Sequence, residues 1–550
     1  VTWLKETDLQ VGLGCMRLST DLQRDEGRAR ATVHAALDAG VTVFDTAHAY
    51  GHDETEYGHN ERWLGRFLSE HPRGATARVV TKGGMRRAGL KWIPDGRAST
   101  LRAQCEASRQ ALGREVDLYL LHVVDPKTPL ATSVRALMEL REDGLVKAIG
   151  LSNVNRAQLD EALALTELAA VQLGVSLLDD TALRGGVVEG ALRRGVTVLC
   201  HSPLGGPKKY QQLERQPWLV ERAKEAGCTP YQWALASLVS LSPNVVVLPG
   251  CRRPETVRSS VAIPRAGAPV VEPSPPVRPP GEAEVLLLMG LQGAGKTSAV
   301  SAAVAQGYQR LNRDEVGGSL EQLHAKLSTL LQAGVRRVVL DNTYVTRAQR
   351  NGAIAVARRH GVAVRGVWHD IEVEQAQINV VTRMLDVHGR LLSADEMKRG
   401  KTPDTLPPRG LASTVRMLEP IGDDEGFAAV ERVPFVRRPW PAGKPALFLG
   451  LDQWVDGQWL PRAAEAMAAH PTWLRVLVGW REGGLTAPDG VEIAVCPHEG
   501  GPPTCWCRPP LPGLVLERAR ALGLSISASR MISESRVLQG MASALTMPLG

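Results

Sequence analysis

The run PRAGAPVVEPSPPVRPPGEAE, residues 264–284, constrains this chain more than any other feature. Proline has no backbone N–H to donate and a fixed φ, so a segment this rich in it is expected as an extended, semi-rigid spacer. Residues 1–263 and 285–550 must then fold apart. A shorter break, RRPWPAGKP at 437–445, divides the second part. Three domains are expected, over 1–263, 285–438 and 445–550. At 550 residues and 44% hydrophobic, each has enough apolar material for a core of its own. The charged start VTWLKETDLQ and the lack of any eighteen-residue apolar run predict a soluble cytoplasmic protein with no membrane partner. A formal charge of +7 permits a polyanionic partner without demanding one.

Residues 1–263 alternate short β-rich runs with amphipathic stretches. The runs are LQVGLGC, VTVFDTA, ARVVTK, DLYLLH, KAIGLSN, AVQLGVS, VTVLCHSP and NVVVLPG. Eight strands with helical segments between them, such as RARATVHAALDAG and TSVRALMELREDG, predict a parallel (β/α)8 barrel with its site at the strands' C-terminal ends. Asp45 and Tyr50 follow the second run in FDTAHAYG, Lys82 ends the third in VVTKGG, and His122 ends the fourth. Read singly, Asp45 and Lys82 make a buried ion pair and His122 a core histidine. Together at one barrel face they make a catalytic set.

On these residues the N-terminal part resembles the aldo-keto reductase family over essentially its whole length. The resemblance implies reduction of a carbonyl small molecule with NADP(H), with Tyr50 as proton donor, Lys82 stabilising its anion, Asp45 holding Lys82 charged and His122 orienting the carbonyl. It also implies that Ser152, Asn153 and Gln172 meet the nicotinamide carboxamide. SPLGG, with Ser202 and Leu204, and LPGCRRPE, with Arg252 and Arg253, would surround the phosphates and adenosine. Either arginine suits a 2′-phosphate, because a guanidinium forks onto phosphate oxygens; both also suit a solvated loop. His201 stands where the family stacks an aromatic ring on nicotinamide, and Gly250 with Cys251 replaces the family's frequent Lys-Ser pair.

EVLLLMGLQGAGKTSAVSAAV reads as a buried strand, a glycine turn and a helix start, with G-x-x-x-x-G-K-[ST] from Gly290 to Thr297. Backbone amides of a loop through Gly290, Gly293 and Gly295, and the helix start after it, cradle nucleotide phosphates. Lys296 neutralises the β and γ phosphates of ATP, and the Thr297 hydroxyl holds Mg2+. Asp314 in YQRLNRDEVGG, and Asp341 ending the run VRRVVLD before Asn342 and Thr343, supply a base and a second acceptor- or magnesium-ordering carboxylate.

These motifs, with VEQAQINVVTRM and EGFAAVERVPF, closely resemble the kinase domain of the polynucleotide kinase/phosphatase family, which phosphorylates 5′-hydroxyl ends. The resemblance implies a P-loop α/β domain with Asp314 as general base, Asp341 at the acceptor, Arg383 as a lid arginine on the transferring phosphate, and RNA or DNA 5′-OH ends as partner. Gly317 replaces an arginine that some relatives use to grip the acceptor. Arg336, Arg337, Arg347, Arg350, Arg358 and Arg359 suit either a nucleic-acid backbone or an ordinary solvated helix face.

In the last domain Cys496, His498, Cys505 and Cys507 form C-x-H and C-x-C, a ligand set suited to tetrahedral Zn2+; the bland alternative is a group of buried thiols. CPHEGGPPTCWCRPP resembles the zinc loop of haloacid dehalogenase phosphatases of the histidinol and heptose bisphosphate branch. That implies a small, truncated α/β fold. Gly450 falls at the nucleophilic aspartate, leaving Asp452; Pro509 falls at the phosphate-binding lysine, and Glu534 is what remains of the magnesium aspartates. Glycine cannot form an aspartyl-phosphate, so phosphatase chemistry is not expected.

The leading expectation is a polynucleotide 5′-hydroxyl kinase of nucleic-acid end repair, fused to a reductase-like barrel and an inactive phosphatase fold. One alternative makes the reductase the main activity, with a kinase for a small molecule. Another makes the barrel a nicotinamide sensor or interaction platform that regulates the kinase.

Overall fold

The computed structural model describes residues 3–5, 8–21, 23–264, 283–400, 402–422, 425–483, 485, 488–500 and 503–550, apart from the side chain of residue 314. The chain separates into two compact units, Val1–Pro273 and Ser274–Gly550. The proline-rich spacer, but for its ends, lies outside the described residues.

All eight expected barrel strands form: β1 (Leu13–Gly14), β2 (Val43–Asp45), β3 (Arg78–Gly83), β4 (Leu118–Leu121), β5 (Ile149–Ser152), β6 (Ala170–Gly174), β7 (Thr197–His201) and β8 (Val245–Leu248). They pair in parallel in chain order. The Gly12 amide donates to the Val247 carbonyl at 2.9 Å and a Val11–Val247 bridge joins first strand to last, so the sheet closes on itself. Strand alternation divides the core in two. Val43, Val80, Leu118, Leu120, Leu199 and Val246 fill the interior. Their neighbours Phe44, Val79, Tyr119, Leu121, Val198 and Val247 face the outer helices. Each βα turn therefore opens on one rim, where the strands' C-terminal residues gather.

The second unit contains two parallel sheets. β9 (Glu284–Met289), β10 (Gln309–Leu311), β11 (Arg337–Asp341), β12 (Ala363–Asp370) and β13 (Ala429–Pro434) lie in the order β10-β11-β9-β12-β13. β9 is central, and the chain leaves it between neighbours whose connections run to opposite sides, the crevice where α/β sheets bind ligands. β14 (Ala446–Gly450), β15 (Leu474–Trp480), β16 (Glu492–Cys496) and β17 (Arg530–Ile532) lie in the order β16-β15-β14-β17. The helix Val373–His388 is buried against both: Ile378, Val381 and Met384 share one apolar cluster with Phe448, Val476 and Trp506. Two sheets that the sequence divides at residues 437–445 thus pack on a common core.

Arg350 reverses an expectation. Its helix spacing suggests a solvated or phosphate-facing residue, yet it is 0% exposed, its guanidinium forked onto Glu425 at 2.7 Å through both nitrogens. It also donates to the carbonyls of Val345 at 3.0 Å and Pro420 at 3.0 Å. Arg347 is buried too, whereas Arg336, Arg337 and Arg359 are exposed.

Candidate active sites

At the barrel rim, Lys82 is the hub. Its ammonium donates to Asp45 Oδ1 at 2.7 Å, to the Thr46 carbonyl at 2.7 Å and to the Tyr50 hydroxyl at 3.2 Å. Three acceptors satisfy the three protons of a lysine that is 1% exposed, so the charge is buried without being orphaned. Burial alone would lower the lysine; Asp45 and Tyr50 outweigh it and hold Lys82 above its ordinary range. For Tyr50 the balance falls the other way. Burial raises the phenol more than the Lys82 cation lowers it, so the hydroxyl keeps its proton at neutral pH. His122 stands edge-on to Tyr50, ring centroids 5.8 Å apart, and burial keeps the imidazole neutral. Its Nδ1 is buried with no partner among the described residues.

Asn153, Gln172 and His201 flank this group. Gln172 donates to Asp45 Oδ1 at 2.6 Å, and Asn153 bridges the His122 carbonyl at 3.0 Å and His201 Nε2 at 2.9 Å. Asn153 and Ser202 are non-glycine residues at φ 55° and 52°, backbone strain of a kind that concentrates at working sites. Asn153 and His201 bring one amide and one imidazole to this rim beside the Ser202–Gly206 turn, groups of the kind that would suit a carboxamide and a pyrophosphate. The residues fit a nicotinamide dinucleotide. Arg252 pairs with Asp21 at 3.2 Å, while Arg253 caps the helix Pro254–Val261 by its backbone. Glu61 was not foreseen: its carboxyl accepts from Thr81 Oγ1 at 2.5 Å behind Lys82, and burial pushes it up to about 7.

Residues 10–265 match the description "Aldo/keto reductase family", and residues 285–399 match that of an AAA domain. The N-terminal half is an aldo/keto reductase domain. Aldo-keto reductase str7 of Strobilurus tenacellus is 28% identical over 270 residues, 44% of this chain and 77% of that protein. The solved glycerol dehydrogenase of Gluconobacter oxydans is 26% identical over 48% of this chain and 88% of its own, with a TM-score of 0.42. An aldo/keto reductase of Klebsiella pneumoniae, solved with NADP and acetate, is 22% identical over 46% and 84%, with a TM-score of 0.39. The AAA match makes the centre of the chain a P-loop, kinase-like domain.

That P-loop follows β9. Gly290 and Gly293 stand at φ 130° and 86°, and a Cβ on either would lie 2.7 Å from a backbone oxygen, of His369 and Ala376 respectively. Only glycine closes this cradle. Lys296 Nζ donates to the Gly290 and Leu291 carbonyls at 2.8 Å each, and Asn379 Nδ2 donates to the Gly293 carbonyl at 2.7 Å. Burial lowers Lys296 to about 8, with Asp341 raising it and Arg383 lowering it further, so those three groups share one electrostatic neighbourhood. A cavity of about 930 Å3 runs from Gly295 and Ser298 past Asn379 and Thr382 to Trp440. The cradle fits nucleotide phosphates and the exposed Thr297 fits their magnesium; the cavity adjoins the loop at Ala294 and Gly295 and is not lined by Lys296, Thr297, Asp341 or Arg383.

Asp341 is less free than expected. Arg310 Nη2 donates to it at 2.5 Å and Asn312 Nδ2 at 3.0 Å, because β10 lies beside β11 and brings Arg310 alongside. Asp314 sits in the short helix Arg313–Val316, and its side chain lies outside the described residues. His369, near the end of β12, lines the cavity next to Gly290, and no local motif marks it.

In the four-stranded part, Cys496 Sγ, His498 Nδ1, Cys505 Sγ and Cys507 Sγ lie within 4.8 Å of one another. The sulfur–sulfur distances are 3.8 Å for Cys496–Cys505, the edge expected of a tetrahedron with metal–sulfur bonds of ~2.3 Å, and shorter, 3.3 Å and 2.7 Å, from Cys507 to Cys496 and Cys505. The donor set fits zinc. Gly450 ends β14, and a Cβ there would lie 2.2 Å from Asp452 Oδ1 and 2.6 Å from Ser533 Oγ. The space beside Gly450 is filled by the hydrogen bond between those two groups, 2.5 Å long.

Proposed function

We propose that the aldo/keto reductase domain is an NADP(H)-dependent carbonyl reductase. The observation that carries this reading is Lys82 Nζ, held between Asp45 Oδ1 and the Tyr50 hydroxyl. A bound nicotinamide would supply the hydride. The chain's residues handle the proton and the charge. Tyr50 offers its phenolic proton to the oxygen of the carbonyl as negative charge builds there. The tyrosinate left behind is stabilised by the Lys82 ammonium 3.2 Å away, and Asp45 keeps that ammonium charged and pointed. Neutral His122 presents a ring nitrogen to the same oxygen and fixes the carbonyl plane. Ser152, Asn153, Gln172, Ser202, Leu204 and the 252–253 arginines hold the dinucleotide. NADPH consumption with a panel of aldehydes tests the reading, and a wild-type chain that reduces none of them would contradict it.

A second reading concerns the P-loop domain: an ATP- and magnesium-dependent kinase of 5′-hydroxyl nucleic-acid ends, with Lys296 and Arg383 on the transferring phosphoryl group and Asp314 as base. The glycine cradle and the shared neighbourhood of Lys296, Asp341 and Arg383 favour it. Its test is transfer of labelled γ-phosphate to matched 5′-OH RNA and DNA strands. Lys296→Ala and Asp314→Ala should each abolish transfer while carbonyl reduction persists. Transfer to a small alcohol alone would remove the nucleic acid from the account. The last domain is read as zinc-clamped and without phosphatase activity, since Gly450 offers no nucleophile.

A further inference from the structure

After β3 the chain folds as a hairpin, Met85–Ala88 against Lys91–Pro94, which places Arg87 opposite Trp92. The Arg87 guanidinium lies 4.0 Å over the Trp92 ring and the residue is 7% exposed. Nη2 donates to the His52 carbonyl at 2.5 Å and Nε reaches the Gly89 carbonyl at 3.4 Å. Among the described residues no carboxylate lies within ion-pair distance of it, and Nη1 has no acceptor. Nη1 is not itself fully buried, so its free N–H groups open on a cavity.

Arg87 lines a cavity of about 530 Å3 with Asp21, Gly51, His52, Trp92 and Arg252. Charge there is unbalanced. Of the lining residues Arg87 and Arg252 are cationic and Asp21 is acidic; Asp21 pairs with Arg252 at 3.2 Å, so Arg87 is the cation left without a carboxylate. The adjoining Arg24–Glu56 pair, 2.6 Å, is neutral, and Glu54 is exposed and accepts from the Gly89 amide at 2.6 Å. The cavity also leads to the reacting groups: the Trp92 ring meets His122 edge-on at 6.0 Å and Tyr50 at 6.3 Å.

We propose that this cavity takes the phosphate of the carbonyl substrate, so that the barrel's substrates are phosphorylated aldehydes or ketones. The inference rests on the reductase reading and specifies its substrate class. A phosphate is the group whose oxygens match forked guanidinium donors, and the stacked Trp92 holds Arg87 planar for it. A neutral sugar gives Nη1 no charge to meet.

The test compares D-glyceraldehyde 3-phosphate with D-glyceraldehyde in NADPH oxidation by the full chain. We expect kcat/KM to favour the phosphorylated substrate by about 10- to 100-fold, mostly through KM. Arg87→Met should erase the preference, raising KM for the phosphorylated aldehyde far more than for glyceraldehyde. Arg87→Lys should restore part of it, which a purely structural role for Arg87 would not do. Equal use of the two aldehydes by the wild-type chain overturns the proposal. So does an Arg87→Met chain that keeps the preference, or one whose defect is a lost discrimination between NADPH and NADH, which would assign the anion to the cofactor. If neither aldehyde is reduced, calorimetric binding of glycerol 3-phosphate decides. Binding lost in Arg87→Met supports the pocket while the turnover reading fails, and binding equal in both chains overturns the pocket as well.

Discussion

The barrel and the P-loop unit hold comparable charges by opposite means. In the barrel, Lys82, Asp45 and Tyr50 stand on or just beyond adjacent strands of a closed sheet, and each polar atom is matched by a neighbour fixed in the same sheet. In the P-loop unit, Lys296 spends its hydrogen bonds on carbonyls of its own loop, and Asp341 is tied to Arg310 and Asn312. Phosphate oxygens would take over the bonds that Lys296 now makes. The comparison shows preorganisation built from strand register in one unit, and a site assembled from exchangeable loop contacts in the other. Removing a single group should therefore cost the barrel chemistry with little rearrangement, whereas the P-loop unit should respond to changes in what supports its loops.

The largest expected effect is in the barrel. Tyr50→Phe removes one hydroxyl from a satisfied site and should lower carbonyl reduction on the order of 10³-fold with little change in unfolding temperature. Lys82→Met differs, because it also leaves Asp45 buried without its cation and should destabilise the first unit by about 3 kcal/mol. Denaturant unfolding of both variants separates chemistry from fold.

Next comes the scaffold of the P-loop unit. Arg350→Met strands Glu425, which is 1% exposed, and frees the 344–345 and 419–420 carbonyls. We expect a loss of about 3–5 kcal/mol in that unit's unfolding and none in the barrel's. Chelation, or Cys505→Ser, should act in the same place more weakly. Trp506, between Cys505 and Cys507, donates to the Leu406 carbonyl at 2.8 Å and packs in the core shared with the helix Val373–His388. Mass spectrometry should find one zinc per chain, and its removal should lower the second unit's unfolding temperature on the order of 5–10 °C.

The smallest effect is in pH. Burial lowers Lys296 to about 8, so its ammonium is charged below that pH and lost above it. The apparent KM for ATP should rise about threefold between pH 7.5 and 8.5, and carbonyl reduction should show no matching change.

Much of this was legible in the sequence, and for identifiable reasons. The barrel strands could be read because each apolar run is short and bounded by a helical stretch, and Asp45, Lys82 and His122 could be read because they end such runs. The P-loop was legible because only glycine satisfies positions 290 and 293. What escaped depends on pairing at a distance. Nothing around Arg350 announces Glu425, 75 residues on, and helix periodicity alone placed it on the surface. The clasp of Arg310 on Asp341 follows from the register of β10 against β11, which no local pattern encodes. Arg87 lay in GGMRRAGLKWIP, where the hairpin that pairs it with Trp92 carries no hydrophobic alternation. The shared core of the two sheets in the second unit was hidden by the prolines of 437–445, which mark a turn in the chain rather than a gap between cores.

The central claim is that Tyr50 and Lys82 serve hydride reduction of a carbonyl. It is tested most directly by giving the full chain NADPH carrying deuterium at both hydrogens of nicotinamide C4 with an aldehyde, and weighing the alcohol produced. The account predicts one deuterium on the former carbonyl carbon, and no product from Tyr50→Phe on the same timescale. An unlabelled alcohol, or equal yields from the two chains, would contradict it.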